Sequence, residues 1–330
     1  MIIDKLIEKA KNNKKNIVLV ETDDIRTIEA ASIVKEKDFA NIILIGKENK
    51  ISTLADNNNL DIKGIKIIDP ETSELTDILI NNFYEIRKNK GMTLEEAENI
   101  IKNDYLYFGS MLVYMDYADG LVAGATHSSS DVLRAALKTV KTAENSKIVS
   151  SFFLMELENK NLGNNGLFIY SDCGMIQNPT SEELVNIAYS SNETFKNLIG
   201  DTPRIAFLSH STNGSSKCND VDKVKNAVTN FKELYPNIIA DGELQLDAAI
   251  IPSITKSKFP TSKIQGDANI LIFPDLDAGN IAYKITERMA NAKAYGPITQ
   301  GIKKPINDLS RGCNANDIVG VIAITCNQAK

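Results

Sequence analysis

Cysteine, histidine and arginine are all scarce in this chain of 330 residues. The four cysteines, Cys173, Cys218, Cys313 and Cys326, are too few and too scattered to staple a fold. No two of them form a CxxC pair, so reduced thiols are expected and a zinc site is not. The two histidines, His127 and His210, have no third partner and no HxxxH spacing, which leaves a metal centre without support. Both are remote in sequence from Ser310, so a nucleophilic triad cannot be argued, and each reads as a strand-end or loop residue. The longest apolar runs, such as 269–273 and 318–325, fall well short of the roughly 18 residues that cross a bilayer, so no membrane span is expected. Residues 1–15 mix acids and bases at helical spacing and contain no apolar signal core, which sets a cytoplasmic location as the expectation. Missing too are GxxxxGK followed by Ser or Thr, and GxGxxG after the first strand; both absences count against an ATPase or a nicotinamide enzyme.

What is present suffices for two folded domains, with 43% hydrophobic residues. The 37 Lys and Arg stand against 43 Asp and Glu, a formal charge of −6 that repels nucleic acid and anionic membrane. An anionic ligand therefore needs a local cluster of cations. Short β-branched runs alternate with amphipathic stretches, which predicts an α/β fold built from βαβ units. Strands are expected at 16–21, 41–46, 61–69, 120–126, 146–157, 167–172, 204–209, 237–242 and 268–274. Helices are expected at 24–37, across 74–116 with breaks at 90–92 and 103, then at 131–142, 180–199, up to about 235, at 246–255, 278–292 and 314–328. The segment 303–313 reads as a polar loop.

Two segments carry chemistry. In GATHSSSDVLR (124–134) a buried strand runs into hydroxyls and a helix start. Free amides and the positive helix end would attract phosphate there, with Thr126, Ser128 and Ser130 donating and Arg134 reaching back. The competing reading is an ordinary helix cap, Ser129 or Ser130 before Asp131. In DLSRGCNAND (308–317) a hydroxyl, a guanidinium, a thiol and carboxylates crowd together, and Asn314 with Asp317 reads equally as a capping pair. Only six of the 37 basic residues are Arg: Arg26, Arg87, Arg134, Arg204, Arg288 and Arg311. Positions that stay Arg in so Lys-rich a chain are candidates for the two-pronged grip on phosphate or carboxylate, chance being the alternative and, for Arg204 and Arg288, the better one.

Six stretches, DGLVAGATHSSSDVLRAAL (119–137), DCGMIQNPTSEELVNIA (172–188), PRIAFLSHSTNGS (203–215), DGELQLDAAI (241–250), ANILIFPDLDAGNIAYK (268–284) and GPITQGIKKPINDLSRGCNANDIV (296–319), resemble the phosphate acetyltransferase family. Ala135 departs from it, several members having proline there. The resemblance implies two α/β/α domains of the isocitrate and isopropylmalate dehydrogenase kind, 1–145 plus 297–330 and 146–296, with the active site in the cleft between them, and a homodimer. It implies acetyl-CoA, coenzyme A, acetyl phosphate and inorganic phosphate as ligands, with coenzyme A a substrate, and no cofactor or metal. It maps Ser310 to the hydroxyl that orients thiol or carbonyl, Arg311 to the cation on phosphate and oxyanion, and Asp317 to the base for the thiol. Arg87 and Arg134 map to anion-binding roles, Arg26 to their neighbourhood, and Cys313 to the substrate wall without acyl-carrying chemistry. A magnitude stands against Asp317 as base: a thiol near 8.5 and a carboxyl near 3.9 make the transfer uphill by roughly 6 kcal/mol, so Asp317 as a structural partner of Arg311 stays open. DGELQ at 241–245 lacks the proline that butyryl-transferring relatives tend to carry after Asp-Gly, which favours acetyl over a longer acyl chain. A coenzyme A-binding module without turnover, and a dehydrogenase of the same fold, are the further alternatives.

Overall fold

The computed structural model describes residues 1–144 and 146–329. Two compact units emerge: one runs from Ile3 to the segment before Asn145 and resumes at Ile302, the other spans Ser146–Gly301. Asn145, where the sequence pattern puts the boundary, lies outside the described residues.

The first unit opens with α1 (Ile2–Lys11), then β1 (Asn16–Leu19), α2 (Ile25–Lys37), β2 (Asn41–Ile45), α3 (Glu48–Asn57) and β3 (Lys66–Ile68). The long helical block follows as α4 (Thr76–Arg87), α5 (Leu94–Asn103) and α6 (Tyr105–Tyr114), before β4 (Gly120–Val122) and α7 (Ser129–Lys138). Local chemistry cuts that block where expected. Gly91 takes a left-handed φ of 87° after a short 3₁₀ turn, Thr93 and Glu96 form a capping box on α5, and Asp104 caps α6.

The second unit contains β5 (Ser150–Glu156), β6 (Leu167–Ser171), α8 (Ser181–Ile199), β7 (Ile205–Leu208), α9 (Asn219–Leu234), β8 (Ala240–Leu244), α10 (Leu246–Ile250), α11 (Pro252–Lys258), β9 (Ile270–Ile272), α12 (Leu276–Met289) and β10 (Lys293–Gln300). The single helix expected at 246–255 is two helices, because Pro252 sits at the first turn of α11 and cannot continue α10. A strand not foreseen, β10, pairs antiparallel with β5 and carries the second unit to Gly301, past the expected limit of 296. The chain then returns as β11 (Ile306–Asn307) and α13 (Ala315–Gln328). The expected loop 303–313 thus holds a short strand.

The first sheet has the order β11-β4-β1-β2-β3, every pairing parallel. Val18, Ile43 and Leu121 face one core together with Phe108, Met111 and Leu112 of α6 and Val132 of α7. Their alternates Ile17, Ile42 and Val122 are buried on the opposite side, as the two-residue period of a strand requires. The second sheet, β10-β5-β6-β9-β7-β8, is parallel beyond the antiparallel β10-β5-β6 edge and has its own core around Phe153, Phe168 and Leu271. Among the described residues no helix is long and apolar enough to cross a membrane.

Candidate active site

Strands β1, β4 and β11 lie side by side and parallel, so the chain leaves all three at one edge. From β1 the chain proceeds to β2 on one side, while β4 lies on the other. That makes the β1–β4 crevice a topological switch point, where open parallel sheets receive ligands. Residues 20–24, 123–130 and 308–314 meet there. Gly124 has φ +117°, and a Cβ on it would meet the Asp308 carboxylate and the Leu309 amide, so the segments after β4 and β11 touch backbone to backbone.

The amides expected to be free for phosphate are occupied. The buried Glu21 carboxylate accepts from the N–H of Gly124 (3.0 Å) and Ala125 (2.8 Å) on one oxygen, and from Thr126 N–H (2.8 Å) and His127 N–H (2.9 Å) on the other. Thr126 Oγ1 donates to it at 3.0 Å, and His127 Nδ1 stands 2.8 Å from Oε1. Burial alone would raise the Glu21 carboxyl, but the His127 ring and the surrounding amides outweigh it and bring it down to about 2. This wrapping ends β4 at Val122, four residues short of the expected strand. The helix cap of α7 is Ser128, whose Oγ accepts from Asp131 N–H (3.2 Å) and donates to Asp131 Oδ2 (2.7 Å), and not Ser129 or Ser130. Thr126 and Ser128 therefore spend their hydroxyls inside the protein, while Ser130 is exposed.

Arg26, expected beside the anion, is likewise engaged. Its Nε and Nη2 hold Asp24 (3.0 and 2.7 Å), Nη2 also reaches Ala125 O (3.0 Å), and Nη1 donates to Arg311 O and Cys313 O, both at 2.9 Å. Every N–H of the guanidinium has a partner, so Arg26 ties the segments after β4 and β11 to the start of α2. Arg311 itself is exposed, and among the described residues its guanidinium has no hydrogen-bond or ion-pair partner. An Arg311–Asp317 pair is not formed. One oxygen of Asp317 instead accepts from Asn314 N–H (2.9 Å) in the capping box of α13, and Asn314 Oδ1 accepts from Asp317 N–H (3.1 Å). Ser310 is half-buried, its Oγ 3.4 Å from the Gly312 amide. The Cys313 thiol, 3.8 Å from Arg26 Nη1, is pushed up to about 11 by burial, against the pull of Arg26. Asp308 is fully buried, and among the described residues neither carboxyl oxygen has a hydrogen bond of ordinary geometry. Burial lifts it to about 7, with the Ser129 hydroxyl and Leu309 amide restraining the rise.

Residues 1–326 match the profile of one family, described as phosphate acetyl/butaryl transferase. The chain belongs to that family. A phosphate acetyltransferase of Thermoanaerobacterium thermosaccharolyticum is 52% identical over 329 residues, covering 100% of this chain and 99% of that protein. The EutD phosphotransacetylase from Staphylococcus aureus superposes with a TM-score of 0.90 at 40% identity, over 100% of this chain and 98% of that one. A Salmonella typhimurium protein described as a 4-hydroxythreonine-4-phosphate dehydrogenase superposes at TM-score 0.53 and 11% identity, over 96% of this chain and 100% of that one, which shows the dehydrogenase-like fold alone.

The remaining arginines that resemblance to the acyltransferases singles out come together elsewhere in the same unit. The Tyr107 phenol of α6 lies in the fields of Arg87, at the end of α4, and of Arg134, on α7, and Lys138 Nζ stands 5.7 Å over its ring. Arg134 is 55% exposed and bonds Asp131 at 2.7 Å, while the Nε of Arg87 is buried and has no hydrogen-bond partner among the described residues. Sequence reasoning missed Glu21, Asp24, Tyr107, Lys138 and Asp308. Glu21, Tyr107, Lys138 and Asp308 draw their roles from residues far along the chain, whereas Asp24 is the cap of α2 and holds Arg26 only two residues on. Beside Glu21 and His127 opens a cavity of about 650 Å³, lined also by Asp23, Asp24, Lys102 and Tyr105.

Proposed function

We propose that this chain transfers acetyl reversibly between coenzyme A and inorganic phosphate: acetyl-CoA plus phosphate in equilibrium with acetyl phosphate plus coenzyme A. The observation that carries the reading is the unpartnered Arg311 guanidinium next to Ser310, at the carboxyl edge of a sheet belonging to this family. Charge develops on the carbonyl oxygen and the phosphoryl group, and a guanidinium not committed elsewhere can follow it into the transition state. Ser310 orients thiol or carbonyl. Arg87 and Arg134 offer the anion-binding arms, and the exposed Ser130 is the hydroxyl of the 124–130 segment still free to join them. Transfer is direct: the thiolate attacks the acetyl carbon and the C–O bond to phosphate breaks. A thiol held at about 11 makes Cys313 a poor acyl carrier, and no metal or cofactor is required by the chemistry.

The same reading includes a cytoplasmic location, and a homodimer for which α12 supplies an apolar stripe. Ile281, Ile285 and Met289, four residues apart, are 56%, 50% and 81% exposed. The two-domain division expected at 1–145 plus 297–330 and 146–296 belongs to it as well, with the return to the first unit at Ile302 in place of 297. The test is phosphate-dependent release of free thiol from acetyl-CoA and butyryl-CoA, side by side. Faster turnover of acetyl-CoA is expected. Preference for butyryl-CoA would favour the longer-chain enzyme, and no thiol release from either would leave a binding module.

A further inference from the structure

The second unit has a cavity of its own, of about 270 Å³, beside the edge strand β8. Four charged side chains line it, Lys225 and Lys232 from α9 and Asp241 and Glu243 from β8. The two lysines are seven residues apart, which places them on one face of the helix two turns from each other. Two of the four charges are spent on each other. Asp241, 2% exposed, accepts from Lys232 Nζ and Gly242 N–H (3.0 Å) on one oxygen, and from the Ser262 hydroxyl (2.9 Å) and Lys263 N–H (2.7 Å) on the other. The other two charges are left over. Glu243 is equally buried at 2%, and its Oε1 accepts from the Ser211 hydroxyl (2.8 Å) and Gly214 N–H (2.7 Å) of the segment after β7. Among the described residues nothing donates to Oε2, and that oxygen is not fully enclosed, so it opens on the cavity. Nor does the Lys225 ammonium have a hydrogen bond or an ion pair among the described residues.

A carboxylate oxygen held out of bulk water without a donor is costly, and a donor from outside would relieve it. We propose that this cavity binds a small zwitterion of the amino-acid type, with its ammonium on Glu243 Oε2 and its carboxylate on Lys225. Lys232 gives one of its three N–H groups to Asp241 and has others to lend to the same carboxylate. The charges exclude simpler ligands. A plain anion such as phosphate finds Lys225 but lies against the Glu243 carboxylate, and a plain cation meets Lys225; each attraction is offset by a repulsion at similar range. One molecule carrying both charges satisfies both ends. Size points the same way, because 270 Å³ holds about nine waters at roughly 30 Å³ each. That is room for a compact amino acid, below the roughly 300 to 1,000 Å³ of sites that take drug-sized ligands.

Ligand-detected NMR titration of the full chain tests this with L-alanine, β-alanine and γ-aminobutyrate, which hold the two charges at increasing separation. Ethylamine and acetate, with one charge each, are the comparison. The expected result is saturable binding of at least one of the three zwitterions with a Kd of about 1 mM or tighter, and binding at least about tenfold weaker for ethylamine and acetate. Glu243→Gln keeps an acceptor for Ser211 and Gly214 but turns the free oxygen into an N–H donor, and Lys225→Met removes the ammonium. Each should weaken the zwitterion about tenfold or more. Lys225 is exposed and without a partner to lose, so its variant decides the matter even if Glu243→Gln fails to fold. No saturable binding of any zwitterion up to about 20 mM, or binding that survives the Lys225 substitution, overturns the site. Acetate or ethylamine binding as tightly as the zwitterions overturns the ligand class. The cavity lies wholly within the second unit, so either failure leaves the acetyl-transfer reading untouched.

Discussion

Arg26 Nη1 donates to the backbone oxygen of Arg311 at 2.9 Å, across 285 residues of sequence. The same nitrogen reaches Cys313 O, so a side chain at the start of α2 fixes the backbone from which Arg311 projects into solvent. One arginine is spent on architecture so that another can stay free.

Arg26→Lys should therefore act through the loop and not through ligand charge. Lysine keeps the positive charge but cannot hold Asp24, Ala125 O, Arg311 O and Cys313 O at once. A displacement of about 1 Å at the reacting groups costs roughly 10²-fold in rate, and a fall in kcat of that order is expected. Salt dependence of KM for coenzyme A checks the alternative: a slope flatter than wild type, with kcat retained, would return Arg26 to the ligand.

Arg311→Lys should lower kcat by about 10² to 10³, much more than it raises KM. Because the guanidinium has no internal partner, the melting temperature should stay at the wild-type value. Turnover within a few-fold of wild type would reject the transition-state role. A melting temperature several degrees lower would reveal a structural partner that these contacts do not contain.

Asp308 carries a pH signature of its own. Its folded carboxyl is lifted from an ordinary 3.8 to about 7 by burial. Between those values the folded state holds a proton that the unfolded chain has released, so stability falls as pH rises from about 4 to 7 and levels off above. The loss is at most about 4 kcal/mol. Asp308→Asn imitates the protonated form and should flatten that decline, raising the midpoint of denaturant unfolding at pH 8. Glu21 works in the opposite sense. Its carboxyl at about 2 contributes stability that is present above roughly 4.5 and lost as pH falls through 2. Urea titrations at about pH 3, 4.5, 6 and 8 separate the two, the lowest reading Glu21 and the upper three Asp308, and an unfolding midpoint for Asp308→Asn equal to wild type at pH 8 would contradict the burial argument.

Cys313→Ala should keep most of kcat. At pH 8 a thiol of pKa about 11 is ionised in roughly one molecule in a thousand. Intact-protein mass spectrometry after mixing with acetyl phosphate should find no acetylated cysteine; a trapped acetyl group on Cys313 would replace direct transfer with an acyl-enzyme.

The Asn314–Asp317 capping pair is legible in the sequence because all its atoms lie within three residues, but the equally local cap of α7 is Ser128 and not the expected Ser129 or Ser130. The buried strands β1 and β2 announce themselves by short unbroken apolar runs rich in Ile and Val. β10 and β11 do not, since Lys293–Gln300 and Ile306–Asn307 become strands only by finding β5 and β4 far back in the chain. Ser310, Arg311 and Asp317 were picked out by residue type and resemblance; the first two lie in the segment after β11 and Asp317 in the capping box of α13.

Composition, capping residues and apolar periodicity were enough to determine the α/β class and most element positions, because those depend on neighbours within a few residues, while the family resemblance rests on six longer stretches of sequence. Which hydrophilic groups remain free was decided only by tertiary structure. Glu21 takes the amides of 124–127 from 103 and more residues away, Arg26 gives every donor to the protein, and Arg311 gives none of its side chain. A hydrogen-bonding group is available to a substrate only if no other part of the fold has claimed it, and that claim is made through space.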